Sequence, residues 1–270
     1  MSFSIAGKTA IVTGAANGIG LAVARHFVEQ EANVMFVDMD EARLAEECGE
    51  AAEQDDSGLR LFCGDLRKKL TLANLVSATI DAFDRVDILV NASRQITRTD
   101  PLDPEDDTLD AMLQQNLLTS YRLSQIVARK MIAQAEKEEE PGDQIGSIIN
   151  LSCIAAGHTH PDLLAYSVST AALEQLTRSM ALALAPKGVR VNAISIGSVM
   201  SNSLQAALKS DAELRDKLIR HTPLGRIAGA GELVDTAQYL ASDASGFVTG
   251  QVLTVDGGRS LLDTVDAPSH

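Results

Sequence analysis

Seven short apolar runs constrain the fold more than anything else in this chain. They cover residues 9–13, 33–38, 59–64, 88–91, 146–151, 190–195 and 252–255, and several of them are continuously apolar at their centres. Strands that are apolar without alternation belong in a sheet covered on both faces. Between them lie stretches whose inward positions recur every three or four residues. The clearest runs through Leu109, Met112, Leu113, Asn116, Leu117, Tyr121, Ser124, Val127, Ala128 and Met131. One residue on that inner stripe, Asn116, is a buried-type position filled by an amide. A further helix is predicted over 164–184, because Pro186 and Gly188 stop it. Strands alternating with helices make right-handed βαβ units. The fold expected is α/β, with a doubly wound, mostly parallel sheet of about seven strands and helices on both faces.

The 270 residues suit one domain over 1–270, with no internal repeat and no linker. Composition is that of a globular chain with a real core, 45% hydrophobic and 22% charged. With 3% aromatics and no Trp, that core is aliphatic. A net charge of −14 argues against nucleic-acid binding, which needs a basic footprint. It leaves a nucleotide ligand open, since backbone N–H groups at a helix N-terminus can hold phosphates. Cys48, Cys63 and Cys153 are odd in number and lack C-x-x-C spacing, so neither a disulfide framework nor a zinc site is expected. The start has no long apolar region typical of a secretory signal, and no run approaches membrane-spanning length. A cytoplasmic location is the default expectation. Residues 136–143 are charged and turn-rich and read as a solvated loop extending a helix. Residues 263–270 read as a frayed tail.

The first strand runs into Thr13-Gly14-Ala15-Ala16-Asn17-Gly18-Ile19-Gly20, which opens the first helix. Glycines there allow a tight turn, close approach of backbone to a pyrophosphate, and packing of helix on strand. The spacing G-x-x-x-G-x-G differs from the commoner G-x-G-x-x-G, but the strand-before, helix-after context is the right one. Asp38 ends the second strand 18 residues after Gly20, where an acid would bond the adenosine ribose. Its carboxylate would repel a 2′-phosphate and Met39 brings no cation, which favours NAD over NADP. The competing role for Asp38 is an N-cap for the helix that follows.

On these residues the chain resembles the short-chain dehydrogenase/reductase family over about residues 5–260. Thr13–Gly20 matches its T-G-x-x-x-G-I-G turn, and residues 249–258 (TGQVLTVDGG) look like its C-terminal strand. The resemblance implies a Rossmann-like fold, an NAD(H)-linked oxidoreductase and a small alcohol or carbonyl substrate. It implies that Asp65 and Leu66 contact adenine, and that Asn91 and Gly197 line the cofactor together with Gly14, Asn17, Gly18, Ile19, Gly20 and Asp38. It makes Tyr166 the catalytic tyrosine and Asn116 the anchor of a proton-relay water. It also implies a substrate lid over about 198–221 and a homo-oligomer, a tetramer or a dimer.

Four positions depart from the family pattern. Its lysine, four residues after the tyrosine, is Thr170 here. That lysine lies on the tyrosine's helix face and lowers its pKa; an unperturbed phenol titrates near pH ~10. The family serine, 13 residues before the tyrosine, is Cys153, a weaker hydrogen-bonding group. Ser152 should point elsewhere if the strand keeps its register. The Asn-Asn-Ala-Gly after the fourth strand reads Asn91-Ala92-Ser93-Arg94, and the Pro-Gly after the sixth reads Ile196-Gly197. Two readings therefore stay open. One is an NAD(H)-dependent oxidoreductase with altered or impaired catalysis, Cys153 standing in for the serine. The other is a catalytically inactive relative that acts as a nucleotide-binding sensor or an assembly subunit. Arg94 is a candidate for the missing cation, against a surface or salt-bridged role. Cys153 as a nucleophile and His158 with His160 as metal ligands are weaker candidates, since neither has its further partners in view.

Overall fold

The computed structural model describes residues 2–52, 57–139, 142–200, 202–211 and 213–263. Seven strands form one sheet: β1 (Thr9–Thr13), β2 (Asn33–Asp38), β3 (Leu59–Cys63), β4 (Ile88–Asn91), β5 (Gly146–Cys153), β6 (Val189–Ile196) and β7 (Val252–Val255). Their order is β3-β2-β1-β4-β5-β6-β7, and every neighbouring pair is parallel. The mostly parallel sheet predicted from the alternation is parallel throughout. The helices between strands are α1 (Gly18–Glu29), α2 (Glu41–Ala52), α3 (Lys69–Phe83), α4 (Thr108–Met112), α5 (Thr119–Ala135), α6 (Leu164–Leu184), α7 (Asn202–Ser210), α8 (Leu214–Arg220) and α9 (Gly231–Ala241).

Period-two geometry divides the strand side chains between two apolar layers. Ala10, Val12, Val34, Phe36, Ile88, Val90, Ile149 and Ile194 pack with α1 and α9 on one face. Ile11, Met35, Val37, Leu89, Ile148 and Val191 pack with α3, α5 and α6 on the other. All eight residues of β6 are buried, as a central strand covered on both faces requires. Helix α6 ends at Leu184, and Pro186 then sits in a single tight turn, Ala185–Lys187. Two strands outrun their predicted ends. β5 extends to Cys153 and β6 to Ile196, because the two pair continuously from Gly146↔Val189 to Cys153↔Ile196. The helix predicted through Leu109–Met131 is interrupted by a π turn, Leu113–Leu118.

The strand order reverses between β1 and β4. In open α/β sheets the crevice at the C-terminal ends of the strands flanking such a switch is where ligands bind. The described part of the predicted lid, residues 198–221, carries α7 and α8. Of the predicted tail, residues 264–270 lie outside the described residues, as do 140–141 of the charged loop. Among the described residues no helix is long and apolar enough to cross a membrane.

Candidate active site

The turn after β1 and the loop after β4 meet at the switch point. Gly14 has φ +70, and a Cβ there would lie 2.9 Å from the Ala92 carbonyl and from Ser93 backbone. A Cβ on Gly20 would collide with the Gly14 carbonyl. Both positions therefore need glycine, and both hold backbones close together beside the cleft. Thr13 clamps the same junction. Its hydroxyl accepts from the Ala92 and Ser93 N–H groups at 3.0 Å each and donates to the Val90 carbonyl at 3.4 Å. Asn17 precedes α1 in an extended conformation and makes no side-chain cap, and the first turn holds no acidic residue. The N–H groups at this helix end therefore have no capping side chain from Asn17.

Asp38 sits at the tip of β2. One carboxylate oxygen accepts from the Ala16 N–H at 3.1 Å, and the other from Met39 and Asp40 at 2.7 and 3.2 Å. It therefore ties β2 to the glycine turn. The cap of α2 is Asp40, which accepts from the Arg43 N–H at 3.1 Å. Met39 is 58% exposed and follows Asp38 at the cleft edge. Asp65 is bound in fork geometry by Arg67, at 2.8 and 3.0 Å, and that guanidinium holds the carboxyl below its usual range. Leu66 beside it is buried. Asn91 is also buried, and its amide donates to Ser124 Oγ at 3.0 Å and to Asn150 Oδ1 at 2.8 Å. Its side chain shapes the base of the site from within the core. Gly197 follows β6, with its N–H on the Val255 carbonyl at 3.1 Å.

Tyr166 lies near the start of α6 and is 3% exposed. Arg94 Nη1 donates to its hydroxyl oxygen at 3.1 Å, and the Ser152 carbonyl lies 3.4 Å from the same nitrogen. Burial pushes the Tyr166 phenol well above its ordinary pKa. The Arg94 cation pulls it down, and the adjoining Cys153 thiol, which pairs with it, pushes it up. Ser152 points away, donating to Glu174 Oε1 at 2.9 Å, as the preserved β5–β6 register dictates. Thr170 is buried, and its hydroxyl is shared between its own helix carbonyls of Tyr166 and Ser167, at 2.9 and 3.0 Å.

The π turn presents Asn116 to the loop that carries Arg94. Asn116 Oδ1 accepts from the Gln95 N–H at 2.9 Å, and its Nδ2 donates to the Gln95 carbonyl at 3.0 Å and to Ser169 Oγ at 3.2 Å. Tyr166, Asn116, Cys153 and Arg94 thus gather at one end of the sheet. Thr13, Gln95 and Ser169 complete the scaffold. Sequence reasoning did not single them out as site residues, because their parts depend on loops meeting across the fold. His160 accepts from the Asp162 N–H at 3.2 Å, a local cap. No group of three His, Cys, Asp or Glu side chains converges among the described residues as a metal would require. A cavity of about 360 Å³ at the opposite, N-terminal ends of the strands is lined by paired charges, Lys8 with Asp243 at 2.7 Å and Arg85 with Asp87 at 2.8 Å. It is remote from these groups.

Known proteins share both the pattern and the architecture. Residues 14–260 match the protein family described as enoyl-(acyl carrier protein) reductase. The chain is 33% identical to the L-fucose dehydrogenase of Mus musculus over 259 residues, covering 94% of this chain and 89% of that protein. A gluconate 5-dehydrogenase from Burkholderia cenocepacia J2315, solved with NADP and tartrate, superposes with a TM-score of 0.85 at 31% identity, over 97% of this chain and 98% of that one. A 7α-hydroxysteroid dehydrogenase solved with NADH and 7-oxo glycochenodeoxycholic acid gives 0.85 at 28% identity, over 95% and 96%. With seven parallel strands in this order, a glycine turn at the switch point and relatives that are dehydrogenases over nearly their whole lengths, the chain belongs to the short-chain dehydrogenase/reductase family of oxidoreductases.

Proposed function

We propose that this chain is an NAD(H)-dependent oxidoreductase acting on a small alcohol or carbonyl compound, with altered catalysis. The observation that carries the reading is the convergence of Tyr166, Cys153 and Asn116 beside the glycine turn at the switch point. The residues present fit a dinucleotide. Gly18, at φ +57, has open space where a Cβ would stand, and the N-terminus of α1 lacks both a side-chain cap and an acidic residue. Gly14, Asn17, Gly18, Ile19 and Gly20 would hold the pyrophosphate, Asp38 the adenosine ribose, and Asp65 with Leu66 the adenine. Asn91 and Gly197 would shape the nicotinamide end. Asp38 with Met39 beside it favours NAD, because no cation of that pair would meet a 2′-phosphate. When bound, the nicotinamide supplies or accepts the hydride.

Tyr166 would exchange a proton at its hydroxyl with the substrate oxygen. Cys153 would hydrogen-bond that oxygen weakly, and Asn116 would anchor the relay water. Calorimetric titration with NADH and NADPH in parallel tests the nucleotide half of the reading. The expected result is clearly tighter binding of NADH. Tyr166→Phe should keep that binding and lose about 10²–10⁴-fold in turnover. Unchanged turnover would remove Tyr166 from the chemistry.

The second reading, a non-catalytic nucleotide-binding sensor or assembly subunit, draws on the Thr170 hydroxyl being committed to its own helix. NADH binding without turnover of any alcohol or carbonyl compound would favour it.

A further inference from the structure

We propose that Arg94, from the loop after β4, holds against the Tyr166 hydroxyl the positive charge that the family places four residues along the helix. The inference rests on the oxidoreductase reading above. Three observations carry it. The first is the contact: Nη1 donates to the phenol oxygen at 3.1 Å. A donor on that oxygen leaves the phenol's own proton free for a substrate and stabilises the phenolate once the proton has gone.

The second is the mounting. The loop is tied on both sides of Arg94. Ala92 and Ser93 donate to Thr13 Oγ1, and Gln95 is bonded through both its N–H and its carbonyl to Asn116. The backbone that launches the side chain is therefore held from two elements, and the Ser152 carbonyl receives the guanidinium at 3.4 Å. The third is the absence of a competing partner. No carboxylate among the described residues lies within 4.0 Å of Arg94, whereas Arg67 has one and Arg85 has two. Nor does helix α6 offer another cation at this level, since Ser169 and Thr170 are uncharged and bonded to the Tyr166 carbonyl.

The groups facing the phenol are thus Arg94 from the β4 loop and Cys153 from the end of β5. Asn116 from the π turn and Ser169 from α6, which bond to each other, are neutral. Arg94 acts through Tyr166 and is a positioning residue in this scheme. Its place in the sequence is the family's glycine, so a charge lost from a helix is regained from a loop that meets it only in the folded chain.

Two measurements test the assignment. In Arg94→Met, which keeps length and removes charge, the rising part of the pH profile for alcohol oxidation, read below the phenol's titration, should be displaced upward by about one to three pH units, so that turnover at a fixed pH falls about 10- to 1000-fold. Arg94→Lys should recover most of that shift, and Arg94→Ala replaces the Met variant if the latter does not fold. The second arm needs no activity. Thr170→Lys should lower the urea unfolding midpoint strongly while Arg94 is present, because two cations then crowd one phenol. In the Arg94→Met background the drop should be less than half as large. Equal drops in both backgrounds, or a pH profile unmoved by Arg94→Met, overturn the proposal. A wild-type protein without NAD(H)-linked turnover at any pH counts against the oxidoreductase reading alone, and the unfolding cycle then decides Arg94 by itself.

Discussion

Thr170 donates back to the carbonyls of Tyr166 and Ser167, as a short hydroxyl buried in a helix commonly does. The missing lysine was legible as a letter in the sequence. The arginine that stands at the phenol was legible only as a candidate, because its reach depends on where the β4 loop is pinned. Cys153 presents a similar contrast. Its place 13 residues before the tyrosine was countable, and the register of β5 decides that its thiol, and not the Ser152 hydroxyl, adjoins Tyr166. A thiol is a weak donor. Cys153→Ser should therefore raise kcat about fivefold, the worth of about 1 kcal/mol from one ordinary hydrogen bond. Steady-state kinetics at saturating NAD(H) checks this, and a fall in kcat would mean that the thiol has a chemical part of its own.

The α4–π–α5 segment shows what periodicity hides at the scale of an element. Apolar spacing located the helix and marked Asn116 as the odd residue on its inner stripe. It gave no sign of the π turn over Leu113–Leu118, whose extra residue shifts the stripe, so that Leu109 and Tyr121 are exposed while Thr119, Ser120 and Leu123 are buried. The turn aims the Asn116 amide at both polar groups of Gln95. Asn116→Ala would leave the Gln95 N–H and carbonyl without that partner, at a cost of about 2 kcal/mol. Urea denaturation should show the midpoint falling at unchanged m. A stability loss within about 0.5 kcal/mol, the range of ordinary surface changes, would mean that the loop holds itself.

Across the whole molecule, titrating groups bound the range of pH stability from both sides. Burial raises the Tyr166 phenol in the folded state, so that state keeps its proton above the pH where the unfolded chain has lost it. Its contribution is complete below the unfolded phenol pKa of about 10 and is lost as pH rises beyond it. Asp65, lowered by Arg67, works in the other direction. So does Asp256, where burial is outweighed by hydrogen bonds from Ser260 and Gly258. The stability of these carboxylates is present above the unfolded carboxyl pKa of about 4 and is lost as pH falls below it. Urea midpoints across pH should thus form a plateau with two falling sides. Tyr166→Phe should flatten the alkaline side relative to wild type, and an unchanged alkaline slope would refute that attribution.

The sequence by itself determined the layers. Apolar runs of strand length alternating with helical stripes admit little besides a parallel sheet covered on both faces, and four of the seven predicted strands coincide with β1, β2, β4 and β7. The glycine turn was legible too, because the positive φ of Gly14 and the approach of Gly20 to the Gly14 carbonyl are demands within the turn itself. Strand order, the junction clamped by Thr13 and the approach of Arg94 to Tyr166 were decided only by tertiary structure. Residues 94 and 166 are 72 positions apart, and no local preference encodes a hydrogen bond over that span. It exists because β4 and β5 lie side by side and set the loop after β4 against the start of α6.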